Sequence, residues 1–564
     1  MKIRMVQMNP TPGDLEGNIQ QMEEALRQAG TDGISLLIFP EMALPGYPPQ
    51  DLLEQPAFCE ASIRASHEFV SRTGDVTVAF GTIEHAPAGS RRPLCNVVTV
   101  AREGTRLATA PKQLLPSYDV FNEERYFEPG TNCHWLDLGG YRIGLTVCED
   151  LWHNENESGA HAYHGDPVAG LVSLNPDLVL NLSASPYTRQ KHKLRRTVLT
   201  RRARELGAPI VYCNQVGAQA ELLFEGDSMV VMPDGTVFQS LLPFETGSET
   251  VELARGSDRI LGKQADDKNE DELERLFRGL VTGIRDYLTK SRASERLILG
   301  LSGGIDSALV AVLAAEAVGP ERVTALTLPS GFSSPGSVDD SVLLADALGV
   351  TLHELSIEEM YDQAVRSLAP LFGDRPFGVA EENVQSRIRG LLLMAMANKF
   401  GDLLLTTGNK SELATGYATL YGDMNGGLNP IGDLYKQDVY ALSRWINDVW
   451  YGREVIPVSI LEKAPSAELR PDQTDQDTLP PYDLLDPVLE AYLERRLDLD
   501  EIDSMTTLSR ATLSKLLSLV DRNEFKRYQA PPILKVTARA FGMGRRWPLV
   551  QGWSHNRERF GPTN

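Results

Sequence analysis

The segment Leu299-Gly300-Leu301-Ser302-Gly303-Gly304-Ile305-Asp306-Ser307 decides the fold of the second half of the chain. An apolar run ends in a Ser-Gly-Gly turn, and an Ala/Leu/Val-rich run follows over residues 308–318, which predicts a buried strand, a tight loop and a helix N-terminus. Adjacent glycines let the backbone approach a ligand, and the free N–H groups and dipole of a helix start favour an anion. A Walker A loop would carry a lysine near the position of Asp306, and a carboxylate beside a phosphate suits Mg²⁺.

The composition is that of an ordinary globular protein with more than one domain. A chain of 564 residues is long for one hydrophobic core, so two to four domains are expected. The net charge of −22 argues against nucleic acid as the main partner. Five cysteines without Cys-x-x-Cys spacing indicate a reducing cytoplasm rather than a disulfide framework. We expect neither a signal peptide nor a membrane span, because no apolar run approaches 18 residues.

The hydrophobic pattern divides the chain into two α/β regions. Residues 1–255 alternate short β-type runs with helical stretches, which predicts a layered α/β domain with hairpins. Residues 256–272 are charge-rich and are predicted to form the interdomain linker. Residues 273–564 repeat a helix–strand–loop–helix pattern, and their apolar strands predict a parallel, doubly wound sheet. Residues 470–481 lack apolar periodicity, so we expect a long loop that acts as a lid. The strands predicted for the second region are residues 297–301, 323–328 and 403–407.

Three segments of the first region carry the residue types that amide hydrolysis needs. Cys148 and Glu41 each end a predicted strand, and Lys112 follows a proline. A cysteine at the end of a strand is expected to be exposed on a turn, where it can act as a nucleophile. A thiol is mostly protonated at pH 7, so a base and a nearby cation are needed to lower its effective pKa. Lys112 and the N–H after the nucleophile could stabilise the oxyanion by several kcal/mol.

The order, context and spacing of these segments resemble the nitrilase superfamily, the carbon–nitrogen hydrolases, over residues 1–255. The resemblance implies an α-β-β-α sandwich in which Cys148 is the nucleophile, Glu41 the general base and Lys112 the cation that faces the oxyanion. The motif Asn-Glu-Glu-Arg-Tyr-Phe-Glu-Pro-Gly resembles the loop with the second catalytic glutamate of that superfamily. We place this role on Glu123, and the neighbouring Glu124 remains the alternative.

Several polar motifs follow the glycine loop of the second region. Each alone is equally compatible with a solvated loop or helix start, but together they supply carboxylates for Mg²⁺ and cations for phosphates. The glycine loop itself resembles the pyrophosphate loop of the N-type ATP pyrophosphatases, which adenylate an oxygen and release pyrophosphate. With that loop, the motifs resemble NAD synthetase over residues 275–550. The motifs are ENVQSRIR (382–389), TTGNKSE (406–412), GYATLYGD (416–423), NPIGDLYK (429–436) and FKRYQAPP (525–532).

Taken together, the two halves resemble the two-domain, glutamine-dependent NAD synthetase family. This resemblance implies an adenine nucleotide α-hydrolase-like second domain and a cytoplasmic enzyme that forms homo-oligomers. The implied reaction amidates deamido-NAD to NAD⁺ with ATP and with ammonia from L-glutamine, giving AMP, pyrophosphate and L-glutamate. A glutamyl thioester would form in one domain and an NAD-adenylate in the other, and ammonia would cross through an enclosed passage.

The same resemblance assigns binding positions in this sequence. The basic stretch at residues 191–196 is otherwise typical of the solvated face of a helix, and it would begin with a functional lysine. The implied glutamine-binding residues are Tyr118, Ser185 and Lys191, and the ATP-binding residues are Gly300, Leu301, Ser302, Gly303, Gly304, Ile305, Asp306, Ser307 and Thr407. Asn383, Glu412 and Lys526 are implied contacts of deamido-NAD, and Asp306 and Glu412 are implied Mg²⁺ ligands.

Two alternatives to this function are open. A GMP-synthetase-like enzyme would pair the same loop with a Cys-His-Glu glutaminase, but no histidine here sits in a comparable motif. A non-catalytic nucleotide-binding protein would bind ATP without releasing pyrophosphate, so a pyrophosphate-release assay separates it from an enzyme.

Overall fold

The computed structural model describes residues 1–153, 163, 165–238, 241–254, 260–262, 271–471, 473–553 and 555. The chain divides into two compact units, Met1–Arg275 and Leu276–Asn564. Most of the predicted linker at residues 256–272 lies outside the described residues, so its role as a linker stays a prediction.

The first unit contains two mixed sheets. Its larger sheet has the order β15-β14-β1-β2-β3-β4-β5, the second has the order β13-β12-β9-β8-β7-β6, and β10 pairs with β11. The strands are β1 Lys2–Gln7, β2 Leu36–Ile38, β3 Thr77–His85, β4 Leu94–Arg102, β5 Thr105–Pro111, β6 His134–Leu138, β7 Tyr141–Val147, β8 Leu178–Ser183, β9 Ile210–Asn214, β10 Val216–Gln219, β11 Leu222–Glu225, β12 Met229–Val231, β13 Val237–Phe238, β14 Gly247–Leu253 and β15 Ile260–Leu261. The helices are α1 Leu15–Thr31, α2 Pro56–Ser71, α3 Pro167–Val172 and α4 Lys191–Leu206.

Apolar side chains of the two sheets meet in one core, and helices cover both outer faces. The shared core contains Ile3, Ile38 and Val98 from the larger sheet and Ile143, Leu180 and Val211 from the other. The helices α1 and α2 pack on the outer face of the larger sheet, whereas α3 and α4 cover the other sheet. The predicted α-β-β-α sandwich is therefore confirmed. The strand β2 runs parallel to both of its neighbours, and β7 runs parallel to β8. The segments that follow these two strands carry Glu41 and Cys148.

The second unit is built on a parallel four-stranded sheet with the order β18-β17-β16-β19. The strands are β16 Leu297–Gly300, β17 Val323–Thr327, β18 Thr351–Glu354 and β19 Leu403–Leu405. The helices are α5 Glu272–Ser291, α6 Ile305–Val318, α7 Pro335–Leu348, α8 Glu358–Phe372, α9 Val379–Phe400, α10 Lys410–Thr415, α11 Lys436–Trp445, α12 Val458–Glu462, α13 Tyr482–Leu493, α14 Leu499–Asp503, α15 Arg510–Arg522 and α16 Glu524–Arg527. This confirms the predicted parallel α/β fold.

The strand order of this sheet reverses at β16, with β17 on one side and β19 on the other. In open parallel sheets, ligands bind outside the carboxyl ends of the strands at such a switch point. The segments that leave the carboxyl ends of β16 and β19 are the glycine loop and the motif TTGNKSE. The topology therefore brings these two motifs to one crevice.

Three local expectations differ from the structure. The strand β18 was not expected because it is an exposed edge strand without an apolar run. The basic stretch at the start of α4 is not a fully solvated face, since Arg195 is completely buried and pairs with Glu225 at 2.7 Å. Residues 470–481 include a short 3-10 helix at Asp475–Asp477, and Asp472 lies outside the described residues.

Within the described part of the chain, none of the helices combines the length and apolarity that crossing a membrane requires.

Candidate functional site

The Cys148 turn stands at the carboxyl end of β7. Cys148 begins a 3-10 helix that ends at Leu151, and its φ of 39° lies in the left-handed region, which non-glycine residues rarely adopt. The Asn181 side chain donates to the Cys148 carbonyl at 3.4 Å and to the Thr146 hydroxyl at 3.0 Å. The Cys148 side chain is buried, with 6% exposed, so the expectation of an exposed cysteine is wrong. Packing between the two sheets accounts for this, because Cys148 belongs to their shared core.

Lys112 holds two carboxylates together beside this turn. Its Nζ donates to Oε1 of Glu41 and to Oε1 of Glu123, both at 2.8 Å, and all three side chains are buried. Glu41 also accepts from the Asn96 amide at 2.7 Å and from the Ala184 main-chain N–H at 2.9 Å. The structure therefore brings Glu41, Lys112 and Glu123 into one hydrogen-bonded cluster.

Tyr47 distinguishes Glu123 from its neighbour in the sequence. Its hydroxyl donates to Oε1 of Glu123 at 2.9 Å, inside the buried cluster. Glu124 is exposed, and its main-chain N–H bonds the Ser117 hydroxyl at 3.4 Å. Of the two glutamates left open by the sequence, Glu123 is the one that joins the cluster.

Burial and neighbouring charges set the protonation states in this cluster. Burial opposes the charged form of Lys112, but the carboxylates of Glu123 and Glu41 outweigh it and raise the Lys112 pKa well above its usual range. Burial raises the pKa of Glu123 to about 7, with Lys112 opposing the shift. Burial and the Glu41 carboxylate raise the pKa of the Cys148 thiol far above its ordinary value, and Lys112 only partly offsets this. The resting thiol is therefore protonated, so a base must remove its proton during any attack.

The three residues implied in glutamine binding surround the same turn. The Tyr118 hydroxyl donates to Glu149 at 2.9 Å, and Glu149 is the residue after Cys148. Ser185 follows Ala184, whose N–H bonds Glu41, and the Lys191 ammonium lies 5.7 Å from the centre of the Trp152 ring. Burial raises the pKa of Glu149, while the Lys191 charge is among the groups that oppose this shift. The role of Tyr118, Ser185 and Lys191 in glutamine binding stays a prediction.

The glycine loop of the second unit forms a compact turn between β16 and α6. The Ser302 N–H donates to the Ser307 hydroxyl at 3.2 Å, and the Gly304 N–H donates to the Ser302 hydroxyl at 3.3 Å. Gly303 has a φ of 72°, and a Cβ there would lie 2.3 Å from the Ser337 carbonyl oxygen. Only glycine fits this position, because both the dihedral angle and the close backbone contact exclude a side chain.

A buried lysine from another motif reaches Asp306. The Lys436 ammonium, at the start of α11, pairs with Asp306 and lies 3.3 Å from Oε1 of Glu412. The Asn409 amide donates to the other oxygen of Asp306 at 3.0 Å and caps α10. Burial raises the pKa of Glu412 to about 8, with Lys436 opposing and Asp306 adding to the shift. A lysine is thus present beside the glycine loop, supplied about 130 residues later instead of by the loop itself.

The glycine loop and the segment after β19 line one cavity in the second unit. The loop residues Gly300, Leu301, Ser302, Gly304, Ile305, Asp306 and Ser307 line it, together with Thr407 and Glu412. Gly303, Asn383 and Lys526 are not among its lining residues. Asn383 accepts from the Thr419 hydroxyl at 2.9 Å, and Lys526 donates to the carbonyls of Gly416 and Ala418 at 2.7 Å. Asn383 and Lys526 therefore contact the 416–419 turn, of which Tyr417 and Ala418 line the cavity.

The segment around residue 468 closes another side of the cavity. The Glu468 carboxylate accepts from Ser334 and from Ser337 at 2.6 Å, at the N-terminus of α7, and it pairs with Lys463 at 3.1 Å. Asp475, from the predicted lid, also lines the cavity and is buried. The predicted lid segment thus reaches the cavity, and its motion stays a prediction.

The carboxylates in this cavity suit a hard divalent cation. Mg²⁺ in phosphate sites is usually held by one or two carboxylates and by the oxygens of the bound phosphate. Asp306 and Glu412 offer two carboxylates on one lysine beside the glycine loop. Among the residues that the structure describes, no three Asp, Glu, His or Cys side chains form a ready-made metal site. The donor set therefore fits a cation whose remaining ligands come from a phosphate.

Comparisons with known proteins give matches to both units of the chain. A family model described as carbon-nitrogen hydrolase matches residues 2–257, and one described as NAD synthase matches residues 276–530. The glutamine-dependent NAD(+) synthetase of Synechocystis sp. is 43% identical over 559 residues, covering 98% of this chain and 99% of that protein. The chain belongs to the glutamine-dependent NAD(+) synthetase family.

Other members of the glutamine-dependent NAD(+) synthetase family match over the same length. The Thermotoga maritima protein is 40% identical and covers 98% of both chains. A solved structure of the Acinetobacter baumannii glutamine-dependent NAD+ synthetase in complex with ADP has a TM-score of 0.77 and 36% identity, covering 98% of this chain and 99% of that chain. The Cytophaga hutchinsonii structure has a TM-score of 0.81 over 98% of both chains, and its 21% identity shows the shared fold alone.

Several contacts at these two sites could not be predicted from the sequence. Lys436 lay inside a quoted motif, yet nothing in the sequence pairs it with Asp306. Asn96 donates to Glu41, and Tyr47 donates to Glu123. Each lies in an apolar segment, where a single polar residue does not indicate a site. Asn409 did carry a signal, since an Asn three residues before a Glu is typical of a helix cap.

Proposed function

We propose that this chain is a glutamine-hydrolysing NAD⁺ synthase with one active site in each unit. The observation that carries the proposal is the full-length match to glutamine-dependent NAD(+) synthetases, combined with a polar cluster at each expected site. The reaction amidates deamido-NAD to NAD⁺ and consumes ATP and L-glutamine. Its other products are AMP, pyrophosphate and L-glutamate.

In the first unit, Cys148 is the proposed nucleophile and Glu41 the general base. As the Cys148 sulfur bonds to the carboxamide carbon of glutamine, Glu41 takes the thiol proton. The oxyanion that forms lies beside the Lys112 ammonium, and collapse of the intermediate passes the proton from Glu41 to the departing nitrogen. Ammonia leaves and a glutamyl thioester remains. Glu41 then removes a proton from water, which attacks the thioester and releases glutamate.

Glu123 supports this chemistry by holding Lys112. Two carboxylates on one buried ammonium keep it charged, as the raised Lys112 pKa indicates. A charged lysine is what a developing oxyanion requires, and removing one such donor typically costs about 3 kcal/mol. Tyr118, Ser185 and Lys191 are the proposed contacts of the glutamine that is being hydrolysed.

In the second unit, the cavity at the glycine loop is the proposed site of adenylation. The nicotinate carboxylate of deamido-NAD attacks the α-phosphate of ATP, the bond to the β-phosphate breaks, and pyrophosphate leaves. Ammonia then attacks the acyl carbon of the adenylate, and AMP is released as NAD⁺ forms. The free N–H groups at the start of α6 and the Lys436 ammonium suit the anionic phosphates, and Thr407 completes the ATP contacts.

Asp306 and Glu412 would hold Mg²⁺ in this cavity. When bound, Mg²⁺ neutralises charge on the leaving pyrophosphate. The proposed contacts of deamido-NAD are Asn383, Glu412 and Lys526. Asn383 and Lys526 also form hydrogen bonds with the 416–419 turn.

We further propose that the enzyme works in the cytoplasm as a homo-oligomer without nucleic-acid partners. All five cysteines are unpaired, which fits a reducing compartment. The net charge of −22 opposes binding to a polyanion.

A coupled assay tests the proposed reaction. Purified protein is given deamido-NAD, ATP, Mg²⁺ and glutamine, and NAD⁺, glutamate and pyrophosphate are followed together. We expect NAD⁺ and pyrophosphate to form in equal amounts, with glutamate at least matching them. Glutamate formation without NAD⁺ or pyrophosphate would contradict the synthase assignment.

A further inference from the structure

Asp150 is a buried carboxylate that accepts three main-chain hydrogen bonds. Its Oδ1 accepts from the N–H groups of Gln113 and Leu114, both at 3.0 Å, and its Oδ2 accepts from the N–H of Val147 at 2.9 Å. Only 1% of the residue is exposed, so water does not replace these bonds. A carboxylate suits this place because it offers acceptors on both oxygens and carries no proton that would face an N–H group.

The three donors belong to two segments of the proposed glutaminase site. Gln113 and Leu114 directly follow Lys112, and Val147 directly precedes Cys148. One side chain thus ties the backbone beside the proposed oxyanion cation to the backbone beside the proposed nucleophile. Val147 lies 34 positions after Gln113 in the sequence. The two segments adjoin different sheets, since Gln113 follows β5, which ends at Pro111, and Val147 ends β7.

The Cys148 turn needs such a restraint. A non-glycine residue in the left-handed region is strained and persists only where its surroundings hold it. The Val147 bond to Asp150 fixes the residue before the strained position, and Asn181 contacts the Cys148 carbonyl after it.

We propose that Asp150 is a positioning residue, which holds Lys112 and Cys148 in the relative geometry that thioester formation requires. This inference rests on the proposed function, because it takes Cys148 as the nucleophile and Lys112 as the oxyanion cation. Asp150 touches neither substrate nor reacting atoms in this account, and it acts through the two backbone segments.

The substitution Asp150→Asn breaks one side of this bridge. The amide oxygen can still accept from Gln113 and Leu114, but its NH₂ group then meets the Val147 N–H, so two donors face each other. A displacement near 1 Å of catalytic groups can lower a rate about 100-fold. We therefore expect glutamine-dependent kcat to fall about 100-fold with little change in the KM for glutamine.

Ammonium-supported NAD⁺ synthesis by the same preparation provides the internal control for folding, and we expect it to stay within about two-fold of wild type. Asp137→Asn is the matched variant, since exposed Asp137 in the same unit also accepts a main-chain N–H, from Gly140 at 3.0 Å. Asp137→Asn should leave both activities unchanged. The full-length chain is used throughout, and covalent glutamyl-enzyme formation is followed by mass spectrometry.

The results separate this inference from the proposed function. Near-normal glutaminase in Asp150→Asn, or a raised KM with unchanged kcat, would overturn the positioning role. Retained glutaminase in Cys148→Ala would instead overturn the proposed function on which it rests. If Asp150→Asn loses ammonium-supported synthesis as well, Asp150→Glu decides. That variant keeps the charge but moves it by one methylene. Loss of its glutaminase alone supports positioning, and loss of both activities or of neither overturns it.

Discussion

The Lys436 ammonium is the group whose removal should most disturb the second site. Lys436 is 2% exposed, pairs with Asp306 and lies 3.3 Å from Glu412. At an effective dielectric constant of about 20, a unit charge pair about 4 Å apart attracts by about 4 kcal/mol, which sets the scale for the Lys436–Asp306 pair. Part of that attraction offsets the cost of burying the charges. For Lys436→Met we take a loss of transition-state stabilisation of about 3 kcal/mol, the usual scale for removing one charge-stabilising donor. Since about 1.4 kcal/mol corresponds to a factor of ten, this is roughly 100-fold.

The assay for Lys436→Met is NAD⁺ formation with glutamine and, separately, with ammonium. We expect kcat/KM for ATP to fall about 100-fold with both nitrogen donors, because the lost cation serves the phosphates and not the nitrogen source. Glutaminase turnover, measured as glutamate release, should persist because Cys148 lies in the other unit. The control is Lys399→Met, which removes an exposed lysine from the end of α9. Synthesis by Lys436→Met within about three-fold of wild type would refute this account of the cavity.

Two further predictions follow from buried charges. Because the pKa of Glu412 is raised to about 8, its carboxylate is protonated below that pH and charged above it. The apparent affinity for Mg²⁺, titrated in the synthetase assay, should therefore rise as pH increases through about 8. Glu412→Gln should flatten this dependence. A pH-independent Mg²⁺ requirement in the wild type would count against Glu412 as a ligand. Arg195→Met removes one of the buried cations that pair with Glu225, while Arg275 stays at 2.7 Å, so the free energy of unfolding should fall by about 3–5 kcal/mol in denaturant titrations. A change below about 1 kcal/mol would show that this buried pair contributes little.

The elements that could be predicted from the sequence are those with strong local patterns. The strand before Ser302 is a continuous apolar run, the glycines mark the turn, and the Ala/Leu/Val run marks α6, so the whole loop follows from nearby residues. The positions of Glu41 and Cys148 were predictable for the same reason, since each residue follows a buried strand. The cluster that Glu41 forms with Lys112 and Glu123 was expected only through a family resemblance.

Features that depend on contacts between distant parts of the chain could not be predicted from the sequence. The strand β18 is polar and exposed, so its place in the sheet depends on pairing with β17 and not on an apolar pattern. Arg195 lies in a basic stretch that looks solvated, and only the fold brings Glu225 to it. The burial of Cys148 also depends on tertiary packing, because two sheets close over the turn.

Cys148→Ala tests the central claim that one chain carries two separable active sites. The thiol is needed only to form the glutamyl thioester, and the second unit contains no cysteine, since none occurs after Cys213. NAD⁺ formation is measured with glutamine as the nitrogen donor and again with high ammonium. We expect the glutamine-supported rate to vanish and the ammonium-supported rate to stay near that of wild type. Retained glutamine-supported synthesis, or loss of both activities in a folded variant, would contradict the account.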